Sequence, residues 1–288
     1  MHNETVTLRE ALAAATAQLV QREDLRPNAQ RDAELLLLHI LAAPRTLLFT
    51  DPDRILTLNQ QTRYESLIGR RLTGEPIQYI TGHQEFYGLD LRVTPAVLIP
   101  RPETEVLVEA ALGLLSKDKP LRIADIGTGS GAIAIAVAHH LPMAQVAAVD
   151  LSSEALAIAR ENAAAHHVEA RIRFLESDLL SAIAGEEPFD AILSNPPYIP
   201  DSDRASLHVQ VREHEPASAL FAGPSGMDIY ERLIPQAFAA LKPGGLLAME
   251  IGHGQRNAIV KLLSPWDSVE FVDDLQQIPR VAIARRPL

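Results

Sequence analysis

The feature that most restricts how this chain can fold is a glycine-rich turn between two apolar segments. Asp125-Ile126-Gly127-Thr128-Gly129-Ser130-Gly131 closes an apolar run at 121–126 and opens into Ala132-Ile133-Ala134-Ile135-Ala136-Val137-Ala138. The first run suits a strand buried on both faces and the second a buried helix. Strand, tight turn and helix in that order predict a parallel α/β sheet, with the turn at the ligand-binding rim. Glycine permits the sharp turn, lets a ligand approach the backbone and allows the helix to pack close to the strand. The spacing is GxGxG, with an acid two positions ahead of the first glycine. A dinucleotide site favours GxGxxG, with its pyrophosphate at the helix N-terminus. A zwitterionic amino-acid moiety fits this turn better. The Asp125 carboxylate is expected to take an ammonium, directly or through water, and the backbone of Gly127, Thr128, Gly129, Ser130 and Gly131 a carboxyl group. The expected cofactor is therefore S-adenosyl-L-methionine.

Further strands are expected at 145–149, 172–175, 191–194 and 246–251, with helical runs between them, and 268–272 and 280–284 as an antiparallel edge pair. Acids end two of these strands. Asp150, 23 residues after Gly127, is placed to accept both ribose hydroxyls. Asp178 is placed to accept from an adenine amino group, with Leu179 packed on the ring.

The fourth strand runs into Asn195-Pro196-Pro197-Tyr198. Two prolines stiffen this loop and remove two N–H donors. What it offers is mostly acceptor: the Asn195 side-chain oxygen and carbonyls, notably that of Pro196. Tyr198 can stack on a flat group. Such a loop suits a planar –NH2 substrate. The nitrogen of an amide or nucleobase is a poor nucleophile, so the expected chemistry is methyl transfer driven by placement and by acceptors that bear the growing positive charge.

The rest of the chain bounds the reading. Hydrophobic residues make up 47% of 288 and aromatics only 5%, so the core must be largely Ala, Leu, Ile and Val. There is no cysteine, which removes disulfides, thiolate catalysis and cysteine-held metals. None of the ten histidines falls in HExxH, and no metal is expected. The formal charge of −11 argues against a nucleic-acid substrate. Glu4, Arg9, Glu10 and Asp24 interrupt any leader-like run, and no apolar stretch is long enough to span a membrane, so a cytoplasmic protein is expected. Residues 1–73 read as a bundle of three or more short helices, either a structural cap or a module that recognises a macromolecular substrate. Residues 74–105 read as a hairpin-like connector, with β-rich pieces at 77–80 and 89–93. A rigid segment at 98–105 follows, in which Thr104 is a candidate helix cap. Residues 106–288 complete one α/β domain.

Taken together, segments 72–82, 85–89, 98–105, 125–131 and 195–199 resemble the protein-(glutamine-N5) methyltransferases that act on bacterial peptide chain release factors, and the similarity covers nearly the full length. The resemblance implies a Rossmann-like, seven-stranded class I S-adenosylmethionine-dependent methyltransferase domain behind a small helical recognition domain. It implies that Asn195 and the Pro196 carbonyl hold the glutamine amide of the factor's Gly-Gly-Gln tip, with Pro197 and Tyr198 beside them and Phe86, Arg101 and Glu105 near that pocket. It implies cofactor contacts from Gly127 through Gly131, Asp150 and Leu179, and a release factor as partner; a monomer is expected. Position 179 is often aromatic in that family, and Ser225 stands where an Asp is common. Two other readings share these residues: a base-amino methyltransferase acting on DNA or RNA, and a cofactor-binding adaptor without catalysis.

Overall fold

The computed structural model describes residues 5–288; residues 1–4 of the expected helical segment lie outside them. The chain divides into two compact units, residues 1–82 with 207–214, and residues 83–206 with 215–288.

The smaller unit is helical. It contains α1 (Leu8–Leu19), α2 (Ala29–Leu41), α3 (Leu47–Thr50), α4 (Leu58–Leu72) and α5 (Ile77–Thr81), joined by α9 (Val209–His214) from later in the chain. Capping boxes start α1 and α4: Thr7 with Glu10, and Thr57 with Gln60. The leucine run of α2 buries Leu36 and Leu37 against Leu8, Leu19, Tyr64 and Ile68 and leaves Leu35 exposed. One ion pair is sealed in this core. Arg71 donates to Asp32 at 2.7 Å and to the Glu75 carbonyl at 2.8 Å. The 77–80 piece is helical rather than β-rich. Pro76 precedes α5, and Gly82, at φ +82°, ends it. Proline before and glycine after are helix punctuation, and they outweigh the β-branched residues between them. The hairpin expected within 74–105 is confined to β1 (His83–Phe86) and β2 (Leu89–Arg92) of the larger unit.

The larger unit is built on seven strands: β3 (Leu121–Ile126), β4 (Ala144–Asp150), β5 (Ile172–Glu176), β6 (Phe189–Ser194), β7 (Leu241–Glu250), β8 (Asp267–Asp273) and β9 (Pro279–Arg285). Their order is β5-β4-β3-β6-β7-β9-β8; the first five are parallel, and β9 runs antiparallel to both its neighbours, β7 and β8, pairing 268–272 with 280–284 as expected. Alternate residues point to opposite faces. Ile123, Val146, Ala191 and Leu246 face α6 (Pro102–Leu114) and α7 (Ala132–His140), while Ala124, Ala147, Ile192 and Leu247 face α10 (Asp228–Ala240) and α11 (Arg256–Leu262). With α8 (Ser153–Ala165) beside α7, both faces are covered, which explains the continuous apolar runs. Among the described residues no helix is long and apolar enough to cross a membrane.

The topology fixes where a ligand can enter. The chain lays β4 and β5 on one side of β3 and then returns to lay β6 and β7 on the other. The crevice at such a reversal, beyond the carboxyl ends of the strands, is the binding site of open α/β sheets. Here it opens between β3 and β6.

Candidate functional site

Strand register assembles the site. Ile126 pairs with Ser194 and with Val149, so Gly127, Asn195 and Asp150 leave the sheet side by side. The Ser194 hydroxyl donates to the Ile126 carbonyl at 2.7 Å and pins β6 to the start of the glycine turn. A cavity of about 370 Å³ lies above them, lined by Gly127, Gly129, Asp150, Asp178, Leu179, Asn195, Pro196 and Pro197 among others. That volume is in the range of small-molecule sites.

The turn itself is organised from below. Asp125 is fully buried and does not line the cavity. One of its oxygens accepts from the Thr128 hydroxyl at 2.6 Å and from the Ala134 N–H at 3.1 Å. The second bond caps α7, whose N-cap is Gly131 and has no side chain to do so. The other oxygen, Oδ1, is buried without a hydrogen-bond partner. Burial pushes the carboxyl up to about 7 against the pull of its two donors. Thr128 and Ser130 are buried with it.

The three glycines have two different surroundings. A Cβ on Gly131 would lie 2.8 Å from Ile135 Cδ1 and 3.2 Å from Ala159 Cβ, so that glycine serves helix packing. A Cβ on Gly127 or Gly129 would meet nothing within 4 Å. Their open side is the cavity, a cradle that a side chain would fill. Beside it, Asp150 accepts from Gly129 N–H at 2.8 Å and Ser152 N–H at 2.9 Å. Burial raises its pKa, opposed by those amides. Each carboxylate oxygen keeps capacity for a ligand hydroxyl. Leu151, exposed at the rim, and Leu179 supply apolar walls. Asp178 is bridged to Arg232 at 2.6 Å. A bare backbone cradle, a strand-end carboxylate and apolar walls fit an amino acid joined to a nucleoside.

The Asn195 loop is held by a buried relay that sequence reasoning did not find. Asn195 Nδ2 donates to Thr104 Oγ1 at 3.0 Å, and Thr104 donates to Glu250 Oε2 at 2.6 Å. The Tyr198 hydroxyl donates to Glu250 Oε1 at 3.1 Å, and the Tyr230 hydroxyl to the Glu250 carbonyl at 2.8 Å. Glu250 is fully buried, and burial raises its pKa against the pull of Thr104 and Tyr198. Thr104 therefore is not the cap of α6, which begins at Pro102 after Arg101. The available signal for Glu250 was a lone acid closing the apolar run of β7, like Asp125 in β3.

The expected substrate residues are dispersed. Phe86 is 1% exposed and sits in the core under β3 and α7, away from the cavity lining. Glu105 accepts from the Tyr87 N–H at 2.9 Å and so holds the β1–β2 turn. Arg101 pairs with buried Glu215, which also accepts from the Ile99 N–H at 3.3 Å. That clamp ties segment 96–98 to segment 216–219, and both line the cavity. The ring of Tyr198 is not part of the lining; its hydroxyl is engaged by Glu250.

Comparisons with known proteins identify the relatives of this chain. Residues 10–82 match the PrmC N-terminal domain and residues 103–213 the methyltransferase small domain. The release factor glutamine methyltransferase of Koribacter versatilis is 47% identical over 98% of this chain and 99% of its own. That of Moorella thermoacetica is 46% identical over 89% of each. Among solved structures, a methyltransferase from Pyrococcus furiosus superposes with a TM-score of 0.52 at 19% identity, covering 76% of this chain and 98% of that one, a likeness of fold.

Proposed function

Because the chain belongs to the release factor glutamine methyltransferase family, we propose that it transfers a methyl group from S-adenosyl-L-methionine to the side-chain amide nitrogen, N5, of the glutamine in the Gly-Gly-Gln motif of peptide chain release factors. The observation that carries this reading is the orientation of Asn195. Thr104 has one hydroxyl proton, committed to Glu250, so it can only accept from Asn195. Asn195 therefore turns its nitrogen away and keeps its oxygen for a donor in the cavity that Gly127 and Gly129 also line.

In this reading Asp150 accepts the ribose hydroxyls, the Gly127 and Gly129 backbone borders the methionine moiety, and Leu179 packs on the adenine. Bound S-adenosylmethionine supplies an electrophilic methyl group on a sulfonium. Asn195 Oδ1 and the Pro196 carbonyl accept the two N–H bonds of the substrate amide. Held this way, the amide is fixed in plane and its nitrogen is aimed, and two reactants share one geometry. The same two oxygens face the nitrogen as positive charge grows on it, stabilisation that needs no reorganisation; as the methyl group exchanges its bond to sulfur for one to nitrogen, the amide gives up one of its two N–H protons to water. Apolar walls and prolines exclude water, which strengthens those contacts. The formal charge of −11 suits a protein substrate better than bare nucleic acid.

The test is incubation of the protein with labelled S-adenosylmethionine and unmethylated release factor, beside tRNA, rRNA and DNA. Label on the release factor alone is expected. Label on a nucleic acid alone would replace this reading with a base-amino methyltransferase.

A further inference from the structure

We propose that Thr104 and Glu250 are positioning residues for methyl transfer: in relay they fix the side-chain amide of Asn195 with its oxygen, and not its nitrogen, toward the cavity. The inference rests on the reading of Asn195 as acceptor for a substrate amide.

A primary amide is almost symmetric in shape. Rotation by half a turn about its last bond exchanges oxygen and nitrogen at little steric cost, because that torsion is broad and roughly two-fold. Packing alone cannot choose between the two states. The choice matters, since nitrogen in the cavity would put a donor against the N–H groups it must receive. Something with fixed hydrogen-bond polarity has to decide, and the relay has it.

The polarity starts at Glu250. An ionised carboxylate only accepts, and both its oxygens are engaged, one by Thr104 at 2.6 Å and one by Tyr198 at 3.1 Å. Thr104 thereby spends its only proton and can offer Asn195 a lone pair alone, at 3.0 Å. Thr104 and Glu250 are almost wholly buried, so no bulk water competes for these bonds. Burial, with Glu103, raises the pKa of this carboxyl, while Thr104, Tyr198 and the more distant Arg280 pull it down; the polarity of the relay is that of the ionised form, which both hydroxyls are placed to stabilise. The elements involved are far apart in sequence. Thr104 lies in the first turn of α6, Asn195 follows β6 and Glu250 ends β7. The relay therefore ties the acceptor to the sheet itself rather than to its own loop. Neither residue lines the cavity, so they act through Asn195.

The decisive variants are T104V, which keeps the shape and removes the hydroxyl, and T104S, which restores it. With release factor as substrate, T104V is expected to lower kcat roughly 10–100-fold, as loss of an orienting partner or of one stabilising contact does. The Kd for S-adenosylmethionine and the KM should stay within about twofold, and T104S should recover most of kcat. A merely structural role would move stability and cofactor affinity along with kcat. T104V with kcat within twofold of wild type would overturn the proposal. E250M is the second variant should T104V not fold; it frees the Thr104 proton to donate to Asn195 and should depress kcat in the same way. The side-chain amide NMR signal of Asn195 in the wild-type protein needs neither variants nor substrate. Slow hydrogen exchange at one of its two protons is expected, and rapid exchange of both would overturn the relay. If no release factor is methylated, the substrate reading falls, and the Asn195 signal still decides the positioning.

Discussion

Replacing each of two glycines of one turn by alanine should separate cofactor binding from folding. At Gly131, with φ +85°, a methyl group would press on Ile135 Cδ1 at 2.8 Å and on Ala159 Cβ and Cα at 3.2 and 3.3 Å. The isoleucine tip can yield, but the α8 backbone at Ala159 cannot. Left-handed strain of about 1 kcal/mol and overpacking of about 1–3 kcal/mol give a loss of about 2–4 kcal/mol for G131A. At Gly129, with φ +56°, the new methyl would meet nothing within 4 Å. G129A should cost only about 1 kcal/mol of stability. Its methyl group projects into the cradle, however, and crowding a fitted ligand by about 1–3 kcal/mol weakens binding roughly 5–150-fold. Urea unfolding without cofactor is followed by the fluorescence of Trp266, the chain's only tryptophan, which is buried in the same unit. S-adenosylmethionine affinity is measured by calorimetry. G129A binding the cofactor within twofold of wild type would refute the cradle. G131A unfolding like wild type would refute the packing role of Gly131, because then the close contact at Ala159 does not govern that position.

Two further outcomes follow from buried charge. Between the usual aspartate value and about 7, Asp125 holds a proton in the folded protein and not in the unfolded chain. Its contribution to stability is thus full below about pH 4 and lost as pH rises to 7, about 4 kcal/mol in all. The difference between wild-type and D125N unfolding free energies should trace that slope, and a flat difference would show that Asp125 is ionised throughout. In the helical unit, R71M leaves Asp32 charged and unpaired in the core and should cost about 3–5 kcal/mol, whereas D32L with R71M should recover most of it. Circular dichroism during denaturation measures both; equal losses for the single and double variants would deny the coupling.

What the sequence disclosed follows the range of the interactions. The strands of the larger unit were legible because a two-sided sheet writes short apolar runs, and the glycine turn because its function is local. The helix at Ile77–Thr81 was misjudged as β-rich because five residues carry too little periodicity, although Pro76 and Gly82 mark its ends. Phe86, placed by family pattern near a substrate, is core, since the β1–β2 hairpin turns it inward. Thr104 looked like a cap because its role depends on Glu250, 146 positions later. No local pattern encodes a hydrogen bond closed by strand order. The joining of Leu207–His214 to the helical unit was invisible for the same reason.

The central claim is that this chain methylates a glutamine side-chain amide held by Asn195. Its most direct test is fragment mass spectrometry of release factor treated with wild-type protein or N195A. One added methyl group on the amide nitrogen of the Gly-Gly-Gln glutamine, present with wild type and lost or nearly lost with N195A, is the predicted result. A methyl group on any other residue of the factor, or equal methylation by N195A, would contradict the account.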